Sequence, residues 1–156
     1  NFFSYLTTPI RLVNCLLQVN FKGVGSEVAR FLLNTTVGLA GFLDPAKKEF
    51  NIEKHDEDLG LTLGSWGVGP AFYIDWPILG PSSLRDTLGF AGDLFLDPRT
   101  YMLNRPIFYV VRPFEFVNDT SLRIGEYEDL KKAAIDPYVA LRDAYHQYRQ
   151  NKIRKK

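Results

Sequence analysis

With a single cysteine, Cys15, the chain can form no intrachain disulfide and has no cysteine cluster to hold zinc. Two histidines, His55 and His146, leave a nucleophilic triad dependent on residues converging from distant loops. A net charge of +1 gives no electrostatic footprint for nucleic acid, which excludes strong, charge-driven DNA or RNA binding. Internal repeats and low-complexity tracts are absent. A straight membrane helix is missing too. The most apolar stretch, residues 59–84, is long enough to cross a bilayer and has one acidic group, Asp75, but five glycines and three prolines interrupt it. Pro70, Pro77 and Pro81 each remove a backbone donor and push the preceding residue from helical angles, so the segment must bend. A bent apolar segment is either a buried core loop or the lining of a cavity.

What the chain does contain is apolar and aromatic. Aromatic residues make up 14% and the wider hydrophobic set 46%, while charge stays ordinary at 24%. At 156 residues this is one domain, able to bury roughly 68–70% of its unfolded surface and so to build a core without staples. Cys15 reads as a buried small hydrophobe, since Asn14 before it is not the small residue of a lipidation site. The chain begins with Asn1 rather than Met, so this amino terminus is expected to be a product of processing or trimming, with any targeting segment missing.

The periodicity is mostly helical. Thr8 as N-cap and Pro9 at the first helical position open an amphipathic helix over 9–19, with Ile10, Val13, Leu16 and Leu17 on one face and Arg11, Asn14 and Gln18 on the other. A second helix over 24–37 carries Val24, Val28, Phe31, Leu32 and Thr35 at helical spacing, with Gly38 as its C-cap. Ser82 or Ser83 caps a third, bearing Leu84, Leu88, Ala91 and Phe95, which Asp97-Pro98 stops. Pro106 and Pro113 leave 99–118 open between a kinked helix and a strand. The last helix starts at Asp136-Pro137 and is expected to turn Tyr138, Leu141, Tyr145 and Tyr148 inward and Arg142, His146 and Arg149 to solvent. The charged connector 44–58 reads as a solvated loop or hairpin. Its acidic end, His55-Asp56-Glu57-Asp58, lacks the spacing and glycine of a calcium loop and reads as a charged helix start leading into Leu59. The basic end Lys152-Ile153-Arg154-Lys155-Lys156 suits a helix C-terminus, or anionic lipid headgroups.

Enzyme motifs do not survive inspection. Gly80-Pro81-Ser82-Ser83-Leu84 has leucine where a nucleophile elbow closes with glycine, and no Lys-Ser/Thr pair follows Gly64, Gly67 and Gly69 to make a phosphate cradle. No cofactor or metal is expected. What remains, amphipathic helices around a bent, aromatic, nearly uncharged segment, is material for handling lipid.

Several blocks in fixed order carry a resemblance. The run Arg30-Phe31-Leu32-Leu33-Asn34-Thr35-Thr36-Val37-Gly38-Leu39-Ala40-Gly41-Phe42-Leu43-Asp44 resembles the R-F-x-x-N-T-x-x-G-x-x-G-x-x-D block of the MlaA (VacJ) lipoproteins. Asp58-Leu59-Gly60, Thr62-Leu63-Gly64, Trp66-Gly67-Val68-Gly69-Pro70, Pro77, Leu79-Gly80-Pro81-Ser82-Ser83-Leu84-Arg85-Asp86, Asp136-Pro137-Tyr138 and Arg142-Asp143-Ala144-Tyr145 are similar to that family's pattern across nearly the whole chain. One departure is Asp119-Thr120-Ser121, where the family usually has Asp-Thr-Arg.

The resemblance implies an all-α, ring-like single domain spanning 1–156, with a Gly/Pro-rich bent segment lining a central channel. It also implies a signal peptide, a lipidated cysteine and a first helical segment ahead of Asn1. The implied role is to take phospholipids misplaced in the outer leaflet of the Gram-negative outer membrane and pass them to the periplasmic lipid carrier MlaC. The implied seat is the inner leaflet of that membrane, lipid-anchored and beside trimeric porins. A leaflet-embedded ring needs helices that are apolar outside and a channel that admits a headgroup. Leu61, Leu63, Trp66, Gly67, Gly69, Phe72, Tyr73, Trp76 and Leu79 are the expected contacts with lipid or the channel, the aromatics for interfacial preference and the glycines for close packing or hinging. A lipid-hydrolysing enzyme and a porin-associated scaffold are the alternatives.

Overall fold

The computed structural model describes residues 2–39, 41–77, 80–102 and 136–154, without the side chains of Phe2, Phe3 and Met102. Helices α1 (Phe2–Leu6), α2 (Thr8–Leu17), α3 (Phe21–Thr36) and α4 (Pro45–Lys48) precede α5 (Leu59–Ser65). Strands β1 (Tyr73–Trp76) and β2 (Gly80–Ser83) follow, then α6 (Leu84–Leu96), α7 (Pro98–Met102) and α8 (Pro137–Arg154). The chain is mostly helical, but the all-α expectation needs correction: β1 and β2 pair antiparallel, with Tyr73 opposite Ser83 and Trp76 opposite Gly80. The bend forced on 59–84 is thus resolved as a short helix followed by a hairpin.

The helix ends follow from their caps. α2 begins one residue earlier than expected and stops at Leu17, because Val19 turns left-handed at φ 56°. α3 takes in Gly23 and Gly25, since the Asn20 Oδ1 accepts the Gly23 N–H at 2.9 Å and starts the helix before them. Its left-handed exit residue is Leu39, at φ 50°, and not Gly38. A Cβ on Gly38 would meet the Asn34 carbonyl at 2.7 Å, so that glycine serves a close approach. Asp58 caps α5 by accepting the Leu61 N–H at 2.7 Å, as the acidic start before Leu59 suggested. Ser83 caps α6, its Oγ accepting from Asp86 N–H at 3.2 Å. The connector 44–58 is not all loop. Asp44 caps α4, and Pro45 and Ala46 are buried. Of 99–118, residues up to Met102 are helical and the rest lie outside the described residues.

Packing places the polar faces inside. On α3 the buried residues are Gly23, Glu27, Arg30 and Asn34, while Val28, Phe31 and Leu32 are exposed. On α2, Arg11 and Asn14 are buried beside Ile10 and Cys15, and Leu16 and Leu17 are exposed. On α6, Arg85, Asp86, Gly89 and Asp93 point in, and Leu88, Phe90 and Phe95 point out. The expected orientation of α8 holds for Tyr145, whose hydroxyl reaches buried Asp86, and is corrected at Arg149, Tyr138 and Tyr148. Arg149 is its buried residue, whereas Tyr138 and Tyr148 are exposed, because buried Asp86 and half-buried Asp58 hold a guanidinium better than an aromatic ring. Cys15 is fully buried, as expected of a small hydrophobe.

Candidate functional site

The interior is an ion-paired polar cluster built from helix caps and first turns. Arg149 of α8 reaches both Asp58 oxygens, at 2.6 and 2.9 Å, and both Asp86 oxygens, at 2.6 and 3.1 Å. Arg85 also donates to Asp86, at 3.0 Å, and to the Val68 carbonyl at 3.2 Å. The Tyr145 hydroxyl donates to the same Asp86 carboxylate. Burial alone would raise the Asp86 pKa, yet donation from Arg149 and Arg85 holds it down to about 2. The Arg149 proton is held correspondingly tightly by Asp58 and Asp86 against its own burial.

A second group lies under α2 and α3. Fully buried Glu27 accepts from Arg11 Nε at 2.8 Å and from the His55 backbone N–H at 2.7 Å. Arg11 further donates to the Ser4 carbonyl at 2.7 Å, which ties α1 to α2. Arg30 pairs with Asp44 at 2.8 Å and donates to the Ile52 carbonyl. Asn34 bridges to the same Asp44 at 3.1 Å. Ser4, Tyr5, Thr8, Arg11, Arg30, Asn34 and Asp44 line a small polar recess there.

Between the two groups, Asp93 accepts from Asn14 Nδ2 at 2.9 Å and from the Leu59 N–H at 3.0 Å. Burial pushes its carboxyl up to about 6, with the Asp58 charge adding to the rise. Because that folded-state pKa lies above the unfolded value of 3.8, the folded chain binds the extra proton between roughly pH 4 and 6. The resulting stability is present in full below the unfolded pKa and is lost as pH rises through about 6. It is on the order of 3 kcal/mol. Asp86 works in the opposite sense, its contribution being lost only as pH falls below 4 towards about 2. We therefore expect the urea midpoint of the parent to gain on Asp93→Asn between pH 7 and pH 4.5. Parallel midpoints for the two proteins over that range would contradict the buried placement of Asp93.

The residues singled out from sequence divide. Trp66 is exposed and its indole N–H donates to the Leu17 carbonyl at 3.2 Å, joining the ends of α5 and α2. Phe72 is exposed. Trp76 is partly exposed, with its N–H on the Thr87 hydroxyl at 3.2 Å. Tyr73 is half-buried against the rings of Tyr138, Tyr145 and His146 at centroid distances of 5.6, 6.1 and 6.0 Å. Its hydroxyl is buried without a hydrogen-bond partner among the described residues, and its pKa is pushed up to about 12 by burial and by Asp75. Leu61 is fully buried. Leu63 is half-buried, and Leu79 lies outside the described residues. Close packing holds at Gly64, where a Cβ would meet Ile153 and Arg85. Among the described residues it does not hold at Gly67 or Gly69, where an added Cβ would find no atom within 4 Å. Gly67 is instead required by its φ of +90°.

Sequence reasoning missed the polar cluster. The signal was present: Arg11/Asn14, Glu27/Arg30/Asn34 and Arg85/Asp86/Asp93 recur at helical spacing as polar stripes. Among the described residues, no helix is long and apolar enough to cross a membrane.

Comparison with known proteins fits this inverted packing to a family. The profile described as MlaA lipoprotein matches residues 1–152. The intermembrane phospholipid transport system lipoprotein MlaA of Escherichia coli K12 is 34% identical over 152 residues, covering 94% of this chain and 59% of that protein. The Haemophilus influenzae protein of the same name is 32% identical over 151 residues, covering 95% and 60%. An uncharacterized protein of Rickettsia felis is 32% identical over 154 residues, covering 98% and 61%. The chain thus spans about three-fifths of the length of these relatives. A solved structure described as giving the structural basis for maintenance of bacterial outer membrane lipid asymmetry superposes with a TM-score of 0.78 at 28% identity, covering 98% of this chain and 77% of that one. The chain belongs to the MlaA lipoprotein family.

Proposed function

We propose that this chain is the lipid-handling part of a phospholipid-transport lipoprotein that maintains outer-membrane lipid asymmetry. The observation that carries the reading is the inversion of its helices: charged and amide side chains are buried and mutually bonded, while Leu, Phe, Val and Trp face outward. In water such a surface is an interaction site, and in an acyl-chain environment it is the required one. The protein sits in the inner leaflet, anchored through a lipidated segment ahead of Asn1 and beside trimeric porins. It passes phospholipid through an amphipathic channel to the carrier MlaC. The segment 61–79 contributes Trp66, Phe72, Tyr73 and Trp76 to the interface and channel wall, with Gly67 and Gly69 keeping the backbone there unobstructed. Movement down a free-energy gradient needs no covalent step and no nucleotide.

The test is to purify the full lipoprotein in mild detergent, identify bound lipid by mass spectrometry, and follow transfer from reconstituted membranes to MlaC. Intact phospholipid with carrier-dependent transfer supports the conduit. Accumulating lysophospholipid or fatty acid would instead mean hydrolysis, and porin binding with neither would mean a scaffold. A sharper variant is Gly69→Leu, whose side chain enters open space at an ordinary φ. Its urea midpoint is expected to stay within about 0.5 kcal/mol of the parent, as for surface changes, while transfer falls. Undiminished transfer by that folded variant removes Gly69 from the lipid path.

A further inference from the structure

Residues 59–84 hold a single charged side chain, Asp75, exposed on β1. Its cross-strand neighbour is Pro81, which has no N–H to donate, and among the described residues Asp75 makes no ion pair and no hydrogen bond. An unpaired carboxylate in so apolar a segment marks a site whose cation has to be named. Strand alternation puts Tyr73 on the same face of β1 as Asp75, away from Ile74 and Trp76. That face meets α8, where Tyr138, Arg142 and His146 stand on successive turns of one side. The Tyr73 hydroxyl is buried yet has no hydrogen-bond partner among the described residues, because its neighbours are turned elsewhere: Ser83 Oγ, across the ladder, caps α6, and the Tyr145 hydroxyl donates to Asp86.

Arg142 supplies the opposite charge. Among the described residues it bonds only its chain neighbour Asp143, at 2.9 Å, and both side chains are well exposed, so that pair holds the guanidinium weakly. Burial raises the Tyr73 pKa, Asp75 adds to the rise and Arg142 opposes it, which brings both charges within reach of the one hydroxyl. Resting on the phospholipid-transport reading above, we propose that Asp75, Tyr73, Arg142 and His146 form a headgroup subsite for a zwitterionic aminophospholipid. The Asp75 carboxylate takes the ammonium, while the Arg142 guanidinium, the Tyr73 hydroxyl and a ring N–H of His146 take the phosphate. Selection follows from the pattern of charge. A phosphoglycerol headgroup offers the same phosphate without a cation and sets an anion beside unpaired Asp75, whereas phosphoethanolamine answers both ends at once. Inorganic phosphate fails for the same reason.

In the experiment the full lipoprotein in mild detergent is equilibrated with equimolar phosphatidylethanolamine and phosphatidylglycerol, and the bound lipid is quantified by mass spectrometry. The parent should hold phosphatidylethanolamine in excess by on the order of tenfold, the size of one hydrogen bond to a charged group. Asp75→Asn should bring the ratio to that of the mixture with total phospholipid kept, and Glu49→Gln, which changes an exposed carboxylate at the end of α4, should leave the ratio alone. Tyr73→Phe should hold several-fold less phospholipid yet melt at or above the parent temperature, since it removes a buried hydroxyl with no partner among the described residues. A parent ratio equal to that of the mixture, or an excess that survives Asp75→Asn, would overturn the subsite and leave phospholipid transport standing. Tyr73→Phe melting well below the parent would show that the hydroxyl is bonded inside the fold and overturn its part in the subsite. Displacement of the bound lipid by an equal concentration of soluble O-phosphoethanolamine would overturn a lipid subsite in favour of one for the free headgroup. A parent that neither holds phospholipid nor transfers it to MlaC would strike the underlying reading, and the subsite with it.

Discussion

Replacing Arg149 with methionine is expected to cost roughly 3–5 kcal/mol, the range for breaking a buried ion pair from one side. Against the 5–15 kcal/mol that typically holds a domain together, that is enough to unfold or nearly unfold the chain. The size follows from what one guanidinium holds. Asp58 caps α5, Asp86 opens α6, and Arg149 bonds both oxygens of each from α8. Removing it leaves buried Asp86, otherwise held down to about 2, beside half-buried Asp58 with no shared cation between them. Arg149→Lys keeps the charge but loses the planar fork, so it should recover only part of the loss. Adding Asp58→Asn to Arg149→Met should restore stability relative to Arg149→Met alone, because a neutral amide tolerates burial without a cation. Urea unfolding in mild detergent, with hydrogen exchange read over 137–154, checks all three. A midpoint for Arg149→Met within about 1 kcal/mol of the parent would mean that α8 is held by its aromatic contacts alone.

Arg149 also shows where sequence reading reaches its limit. Periodicity correctly identified a helix from Pro137, and Asp136, Asp58 and Ser83 were legible as start signals because capping is a local matter of one side chain and one turn. Which face of a helix turns inward is not local. The rule that apolar stripes face the core assumes water outside, and under it Arg149 belongs in solvent and Tyr148 in the core. Here the two are exchanged. The resemblance implied a ring whose helices are apolar outside, but neither which faces those are nor which polar residues would meet. Residues 58, 86 and 149 are distant in sequence, and only the packing of α5, α6 and α8 brings them together. The hairpin was hidden for another reason. Gly80-Pro81-Ser82-Ser83 has no strand propensity of its own and is extended because it pairs with Tyr73–Trp76. Within the segment singled out from sequence, Trp66, Phe72 and Trp76 stand at the surface, while fully buried Leu61 shows that membership in an apolar run does not fix exposure.

The same substitution should act in opposite senses at two helical glycines, and space alone decides which. Gly89 lies inside α6 where that helix crosses α5, and a Cβ there would stand 2.6 Å from the Gly60 Cα, closer than real Cβ atoms come to any atom. Its neighbour is backbone, so no rotamer can give way, and α5 and α6 must part. Their separation would also pull Asp58 and Asp86 away from Arg149, which is why the penalty should reach the upper end of the roughly 1–3 kcal/mol usual for overpacking. Gly25, in the exposed middle of α3, has nothing within 4 Å of an added Cβ. Gly25→Ala should therefore stabilise by about 0.5–1 kcal/mol through helix propensity, an increment that Gly89→Ala also receives and that the collision overrides. Urea midpoints at unchanged m-value read both effects, with Gly25→Ala moving up and Gly89→Ala moving down by more. If Gly89→Ala were neutral or stabilising, α5 and α6 would have room to spare at their crossing, and the tight grip on Arg149 that depends on it would have to be abandoned.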